Sequence, residues 1–364
     1  MISRERLQHV LDQTARHRVA LLGDLFLDRY LEIPAGSGES SVETGLEAHQ
    51  VARVRNSPGA LGTVMNNLAA LRIGLLLPVS VLGTDGHAFE LMREVERLPA
   101  DTSYIVRDAA RLTPTYTKPM QQQADGSWRE LNRLDFRTRA PLSPETEDLV
   151  LRALAQALAA ADALVVADQI CEENWGVVTA RVRDALPQLV RAARTRVVVV
   201  DSRAHVGRFR CGVLKPNAAE CLRALEQAPP TAPPSDWLAQ MGQAVCHLAR
   251  RTGCPELCTL SEHGMLVAEP AGQGAQHVPS PQVPPPIDPV GAGDSATAGI
   301  VCSLLAGTTL IEAAAVGNLA ASLTVQQVGT TGTATPEQVL GRWEEAYGSA
   351  ERTSSASGGT TTAG

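Results

Sequence analysis

Asp288-Pro-Val-Gly-Ala-Gly-Asp294 runs without a break into Ser295-Ala-Thr-Ala-Gly-Ile300, and this stretch decides how the chain is read. Two glycines and an alanine leave the backbone bare where a helix should begin. The N–H groups of Gly291, Ala292 and Gly293 then point outward at the positive end of that helix, which favours an anion. Asp294 stands at the same helix mouth, where a carboxylate can take a proton from a hydroxyl. An anion cradle beside a general base is what phosphoryl transfer to an alcohol requires. By itself a Gly-x-Gly turn is a weak signal, because many tight turns use it. A dinucleotide-binding turn is disfavoured by the proline-rich segment 279–289, which stands where a hydrophobic strand is needed. No Gly-x-x-x-x-Gly-Lys-Ser/Thr loop occurs, which excludes a P-loop enzyme.

Three further segments belong with the first. Val19-Ala-Leu-Leu22 reads as a buried strand ending in Gly23-Asp24, with Asp28 and Arg29 just beyond. Ser57-Pro-Gly59 opens a helix that carries Asn67. Val213-Leu-Lys215-Pro-Asn217-Ala-Ala-Glu220 brings a strand end, a turn and two polar groups together. In this order the four segments resemble the ribokinase-like (PfkB) family of carbohydrate kinases, from roughly residue 19 to residue 340. Asp28-Arg-Tyr30, Thr115-Tyr-Thr-Lys118, Arg133-Leu-Asp-Phe136 and Gly332-Thr-Ala-Thr-Pro336 make the heptose-7-phosphate kinase module the nearest pattern within it.

The resemblance implies ATP and Mg²⁺ as cofactors, with Asp294 as base and residues 291–293 as the anion hole. It places Lys215, Asn217, Glu220, Ser261, Gly264 and Asn318 on the nucleotide side. Asn217 and Glu220 would organise the Mg²⁺, through water because that ion keeps its hydration. In another chain Asn-x-x-Glu would simply cap a helix. On the acceptor side stand Asp24, Asp28, Gly59 and Asn67, with Lys118, Arg133 and Asp135 approaching from a lid. Asp168 and Asp201, at strand ends, are further candidates. Lys118 and Lys215 are the only lysines in the chain, and each falls inside a family-like motif. A compact ammonium suits contact with phosphate or a sugar hydroxyl. For Asp294 an ordinary carboxylate pKa suffices, because such a group is ionised at neutral pH.

Composition fits an enzyme of this kind. The chain has 364 residues, 44% of them hydrophobic, enough for a large core. A net charge of −7 with no basic block argues against nucleic acid or a membrane surface as partner. No signal or membrane-spanning stretch is evident, and seven irregularly spaced cysteines fit reduced thiols, so a cytoplasmic location is expected. Cys254, Cys258 and His247 lack a fourth partner at zinc-like spacing and read as core or strand-edge residues.

Short apolar runs predict strands over 19–22, 75–82, 163–167, 197–200, 213–214, 257–260 and 265–268. Longer patterns predict helices over 59–71, 88–97, 145–160, 174–193, 237–251, 292–305, 310–326 and 336–347. Uninterrupted Val/Leu/Ile strands suit a mostly parallel sheet covered on both faces, the three-layer α/β/α fold that the resemblance also implies. Ligands then belong at the carboxyl ends of its strands. Two excursions, about 30–56 and 113–136, break the helical rhythm. By resemblance they form a small β-lid over the sugar and a homodimer contact; read alone they are surface hairpins. The kinase domain is expected over 1–348, with a linker at 229–234 and a disordered tail over 349–364.

One departure bears on the acceptor. The family's Gly-Gly-Ala-Ala-x-Asn reads Gly59-Ala-Leu-Gly-Thr63 here, so Ala60 replaces a glycine and Thr63 an asparagine. A kinase for a hexose, pentose or nucleoside stays open beside the heptose phosphate, as does a silent sugar sensor on the same scaffold.

Overall fold

A computed structural model describes residues 2–227, 236–329 and 331–357, with side chains as far as residue 348. Its centre is an eight-stranded sheet. The spatial order is Leu75–Val79, Arg18–Gly23, Ala163–Asp168, Val197–Ser202, Val213–Leu214, Glu256–Thr259, Met265–Ala268 and Gln276–Val278. The first six are mutually parallel and the last two turn back antiparallel. Side-chain alternation explains the layers. Val19, Leu21, Ala163, Val165 and Val199 pack into one core with the helices Arg4–Gln13, Leu61–Ala70, Gly86–Val95, Ala292–Leu305 and Leu310–Thr324. Ala20, Leu22, Leu164, Val166, Val198 and Val200 pack into the other, against Pro144–Ala160, Ala180–Ala193, Ala218–Ala224 and Trp237–Thr252. The three-layer α/β/α arrangement expected from the sequence is present.

Strand order creates the crevice. From Arg18–Gly23 the chain moves outward to Leu75–Val79, leaves for the lid, and re-enters on the other side at Ala163–Asp168. Connections therefore diverge between the first and third of these strands, and the gap at their carboxyl ends is where an open α/β sheet takes its ligand. Asp24 and Asp168 stand there.

The lid is a five-stranded sheet. Leu25–Ile33 pairs antiparallel with Arg53–Ala60 and parallel with Thr115–Gln122, which also carries Trp128–Glu130 and Leu134–Phe136. It takes in residues 25–29 and 57–60 beyond the expected excursions, while Glu39–Ser40 and Glu47–Ala48 form a separate two-stranded pair. Those residues continue almost directly from the central strand, so lid and core share one stretch of chain.

Three expected strand and helix boundaries shift by more than two residues. The 174–193 helix starts at Ala180, because Thr179 caps it by accepting from Val182 N and Asn174 adopts φ 65°. The 75–82 strand breaks at Ser80, and Val81–Leu82 pairs instead with Val106–Arg107. The final helix, Pro336–Ser357, continues into the expected tail, where 349–357 contains Ala, Glu and Arg and no proline. Residues 358–364 and the expected 229–234 linker lie outside the described residues.

Ala60 turns from lid strand to helix with φ 52° and ψ −116°, a region that belongs to glycine. Ala60→Gly should therefore stabilise the protein by about 1 kcal/mol. Relief of ~1–3 kcal/mol of strain exceeds the ~0.4–1 kcal/mol that glycine adds to unfolded-state freedom. The urea midpoint reads this directly, and an unchanged or lower midpoint would show that Ala60 is not strained.

Candidate active site

Gly291 begins the helix Ala292–Leu305 in the left-handed conformation, φ 82°, which accounts for glycine there. Asp288 holds the turn in place: its carboxylate accepts from Val290 N at 3.1 Å and Gly329 N at 3.0 Å. Ser295 fixes the first turn from below through Thr324 Oγ1 at 2.7 Å. One expectation needs correcting. Ala292 N donates to Pro289 O at 3.2 Å, so that amide closes the turn and leaves the cradle to its neighbours at Gly291 and Gly293.

Asp294 is half-buried in the first turn of this helix, and its pKa is pushed up to about 7. Burial is the largest cause and the Asp201 carboxylate the next; Lys215 and Arg203 pull the other way, and Asp28 adds a smaller push upward. An ordinary carboxylate, as expected from the sequence, is thus not what the fold provides. Beside it lies a buried ion pair, Lys215 Nζ to Asp201 Oδ2 at 2.8 Å, with side chains 4% and 12% exposed. A Cβ placed on Gly293 would meet Lys215 Nζ at 3.6 Å, so the ammonium reaches the glycine cradle. Lys215 thus lies beside the glycine cradle, which its turn-like sequence context alone did not show.

Asn217 and Glu220 adopt the capping box. Asn217 Oδ1 accepts from Glu220 N at 2.9 Å, and Glu220 Oε2 from Asn217 N at 2.8 Å. The cap does not exhaust the carboxylate. Burial and the charge of Asp201 raise the Glu220 pKa. A cation beside Glu220 would relieve that repulsion, and the oxygen donors at hand suit Mg²⁺ held through water.

On the acceptor side, Asp28 Oδ1 lies 2.9 Å from Lys118 Nζ, which also donates to Tyr30 Oη at 3.2 Å. Any Cβ at Gly59 would come within 2.3 Å of Asp28 Oδ2, so glycine is needed for this close approach. Strand register places Asp28 beside Tyr116, and Arg133 stacks over the Tyr116 ring at 4.3 Å while gripping Asp135 at 2.7 Å. Asp28, Tyr116 and Asp135 thus share one face of the lid.

Several predicted contacts are occupied internally. Asp24 accepts from Gln169 N, Ile170 N and Val177 N at 3.1, 3.2 and 2.8 Å, so both its oxygens hold the 169–177 loop. Burial and Asp168 still push its pKa up to about 6. Asn67 is buried and donates to Thr63 O at 2.9 Å, inside its own helix. Asn318 donates to Val278 O and Pro279 O at 3.0 and 3.3 Å, bracing the strand end that Gly264 also packs against. Ser261 and Gly264 form the turn between Glu256–Thr259 and Met265–Ala268.

Around Asp168, which the sequence offered only as a strand-end candidate, the structure adds partners that the sequence did not show. Asp168 accepts from Ser202 Oγ at 2.6 Å and lies 3.4 Å from His205 Nδ1, whose Nε2 is 3.4 Å from Glu173. Arg203, in the same turn, has an exposed side chain and donates its backbone N–H to Asp168 O at 3.0 Å. The Asp201-Ser-Arg-Ala-His205 segment was the available signal, but its importance comes from neighbours distant in sequence.

Fold and site together define a sugar kinase of the ribokinase-like class. The chain belongs to the pfkB family of carbohydrate kinases, whose family model matches residues 40–338. It is 28% identical over 346 residues to the bifunctional protein HldE of Citrifermentans bemidjiense, covering 93% of this chain and 66% of that one. With HldE of Gluconacetobacter diazotrophicus it shares 30% identity over 321 residues, 86% of this chain and 61% of the relative. The chain thus spans somewhat under two thirds of the length of these relatives. Its fold is that of Cryptococcus neoformans ribokinase (TM-score 0.60, 19% identity, 90% and 99% of the two chains). It is likewise that of Escherichia coli phosphofructokinase-2 (TM-score 0.64, 16% identity, 91% and 99%).

Proposed function

We propose that this chain transfers the γ-phosphoryl group of ATP to a hydroxyl of a sugar phosphate, with a heptose 7-phosphate as the first acceptor to test. The observation that carries the reading is Asp294, held at the glycine-rich helix mouth with its pKa near neutrality. A base so tuned is ionised in a useful fraction at pH 7 and still accepts a proton readily. Asp294 takes the proton of the acceptor hydroxyl as the new O–P bond forms. Amides at the helix start and the Lys215 ammonium hold the charge on the transferring group. Glu220 and Asn217 would hold a hydrated Mg²⁺, which supplies charge neutralisation on the phosphates. The heptose preference rests on the lid motifs and on similarity to the HldE proteins.

Lys118 anchors the acceptor end of this reading. Lys118→Ala should raise KM for the acceptor about tenfold while KM for ATP changes by less than about twofold. The reverse pattern would move Lys118 to the nucleotide side. The same lid exposes Val54, Leu134 and Phe136 on the face opposite Asp28 and Tyr116, which suits pairing with a second copy of the chain. A cytoplasmic setting belongs to this reading too, since ATP and sugar phosphates are found there.

The test is ATP consumption with Mg²⁺ across sugars, sugar phosphates and nucleosides. Turnover on a heptose 7-phosphate alone supports the proposal. Turnover on another compound replaces the acceptor, and nucleotide binding without turnover favours a silent sensor.

A further inference from the structure

The 169–177 loop is gripped from two sides. Toward the crevice, three of its amides take both oxygens of Asp24, and a Cβ on Gly176 would meet Asp24 Oδ1 at 2.8 Å. Loop and crevice floor are therefore in close contact. Toward the lid, the loop receives both feet of the excursion that carries Tyr116, Lys118, Arg133 and Asp135. Arg111, ahead of the entering strand Thr115–Gln122, donates to Trp175 O at 2.6 Å. Arg137, directly after the leaving strand Leu134–Phe136, meets Glu172 with two parallel contacts, Nη2 to Oε1 at 2.9 Å and Nη1 to Oε2 at 3.1 Å. The next residue, Glu173, turns to the core and pairs with Arg183 at 3.1 Å and with Arg208. Two feet on one loop mean that the loop sets where the lid stands.

We infer that Arg137 and Glu172 are positioning residues whose ion pair latches the lid to the acceptor crevice. Neither touches the acceptor. Through Asp24 the loop is tied to the strand end at the crevice, and through Arg137 to the strand that pairs with Tyr116 and Thr117. The pair thus fixes how far Lys118, and the Asp28 carboxylate it holds, stand from the floor. A bidentate guanidinium–carboxylate contact sets orientation as well as distance. Yet the two side chains are 34% and 35% exposed, so water competes for them and the contact contributes little to stability. A contact that is well aimed but cheaply broken suits a lid that must open for each acceptor and close over it. The acceptor is that of the proposed function, on which the kinetic side of this inference rests.

Exchanging the charges tests it. Arg137→Glu and Glu172→Arg should each raise acceptor KM about tenfold, as when the closed population falls to about a tenth. In both, kcat and KM for ATP should change by less than about twofold, because a saturating acceptor closes the lid and ATP binds at the helix mouth. The double variant with the charges exchanged should return acceptor KM to within about threefold of wild type. A second readout needs no acceptor, so it separates a failed latch from a wrong acceptor. Backbone hydrogen exchange over Thr115–Gln122 and Leu134–Phe136 should quicken about tenfold in each single variant and recover in the double. Should the exchanged pair misfold, Glu172→Gln, which keeps the shape and loses the charge, should show the same pattern at about threefold. Unchanged lid exchange in the single variants would overturn the inference, as would equal rises in both KM values or a folded double no better than the singles. A lowered urea midpoint with acceptor KM unchanged would also overturn it, by making the pair a staple of the loop alone.

Discussion

Asp294→Asn removes the proposed base and should lower kcat by about 10²–10⁴, with ATP affinity changed by less than about threefold. Asparagine keeps the shape, but its neutral amide cannot accept the hydroxyl proton. Helix and glycine turn are held by Asp288, Ser295 and Thr324, none of which bonds to the Asp294 side chain. The loss is therefore one of chemistry and not of architecture. The same group sets the pH dependence. A general base works only when deprotonated, and Asp294 titrates at about 7. The wild-type kcat/KM should thus be level above that value and fall about tenfold per pH unit below it. A limb near pH 4 would mean that substrate-free Asp294 is neither desolvated nor crowded by Asp201 as the structure indicates. Wild-type turnover in Asp294→Asn would remove it from the mechanism.

The sequence showed the layers and the helix mouth because both depend on local pattern. Val19-Ala-Leu-Leu22 and its counterparts are buried on both faces, and a continuous apolar run announces that. Residues 288–300 carry their own turn, cradle and base. Register and tuning are different, since they arise between segments far apart in the chain. The Lys118–Asp28 pair needs two strands 90 residues apart to align in parallel. The raised pKa of Asp294 comes from its burial first and from Asp201 beside it second, and no spacing in the sequence reveals either. Asp24 looked like a sugar ligand because it ends a strand; three backbone N–H groups of the 169–177 loop take its oxygens instead. Asn67 is engaged in a related way: a helical asparagine can bond back to the carbonyl four residues earlier, and its Nδ2 does so to Thr63 O. In Asn217–Glu220 the cap and the candidate metal site turn out to be compatible, because the box uses one carboxylate oxygen and leaves the other.

Loss of the buried Lys215–Asp201 pair should give the largest change in stability. Lys215→Met strands the Asp201 carboxylate, which is 8% exposed as a residue, next to Asp294 and Glu220. Breaking one side of such a pair costs about 3–5 kcal/mol, because the remaining charge stays desolvated. Little solvent screening is available to soften this, given the 4% and 12% exposure of the two side chains. Adding Asp201→Asn to Lys215→Met should recover much of the loss, since a buried neutral amide tolerates the site better than an unpaired carboxylate. The pH dependence gives an independent check. Although burial alone would lower it, the Lys215 pKa is raised above its ordinary 10.5, with Asp201 the leading counterweight. The stabilisation is therefore fully present below about pH 10.5 and disappears as pH rises through the folded value. Urea titrations at pH 8 and at strongly alkaline pH should show wild type and Lys215→Met converging at the alkaline end. A loss below about 1 kcal/mol at pH 8 would mean that water reaches the pair, and that Lys215 lies beside the glycine cradle without binding the fold together.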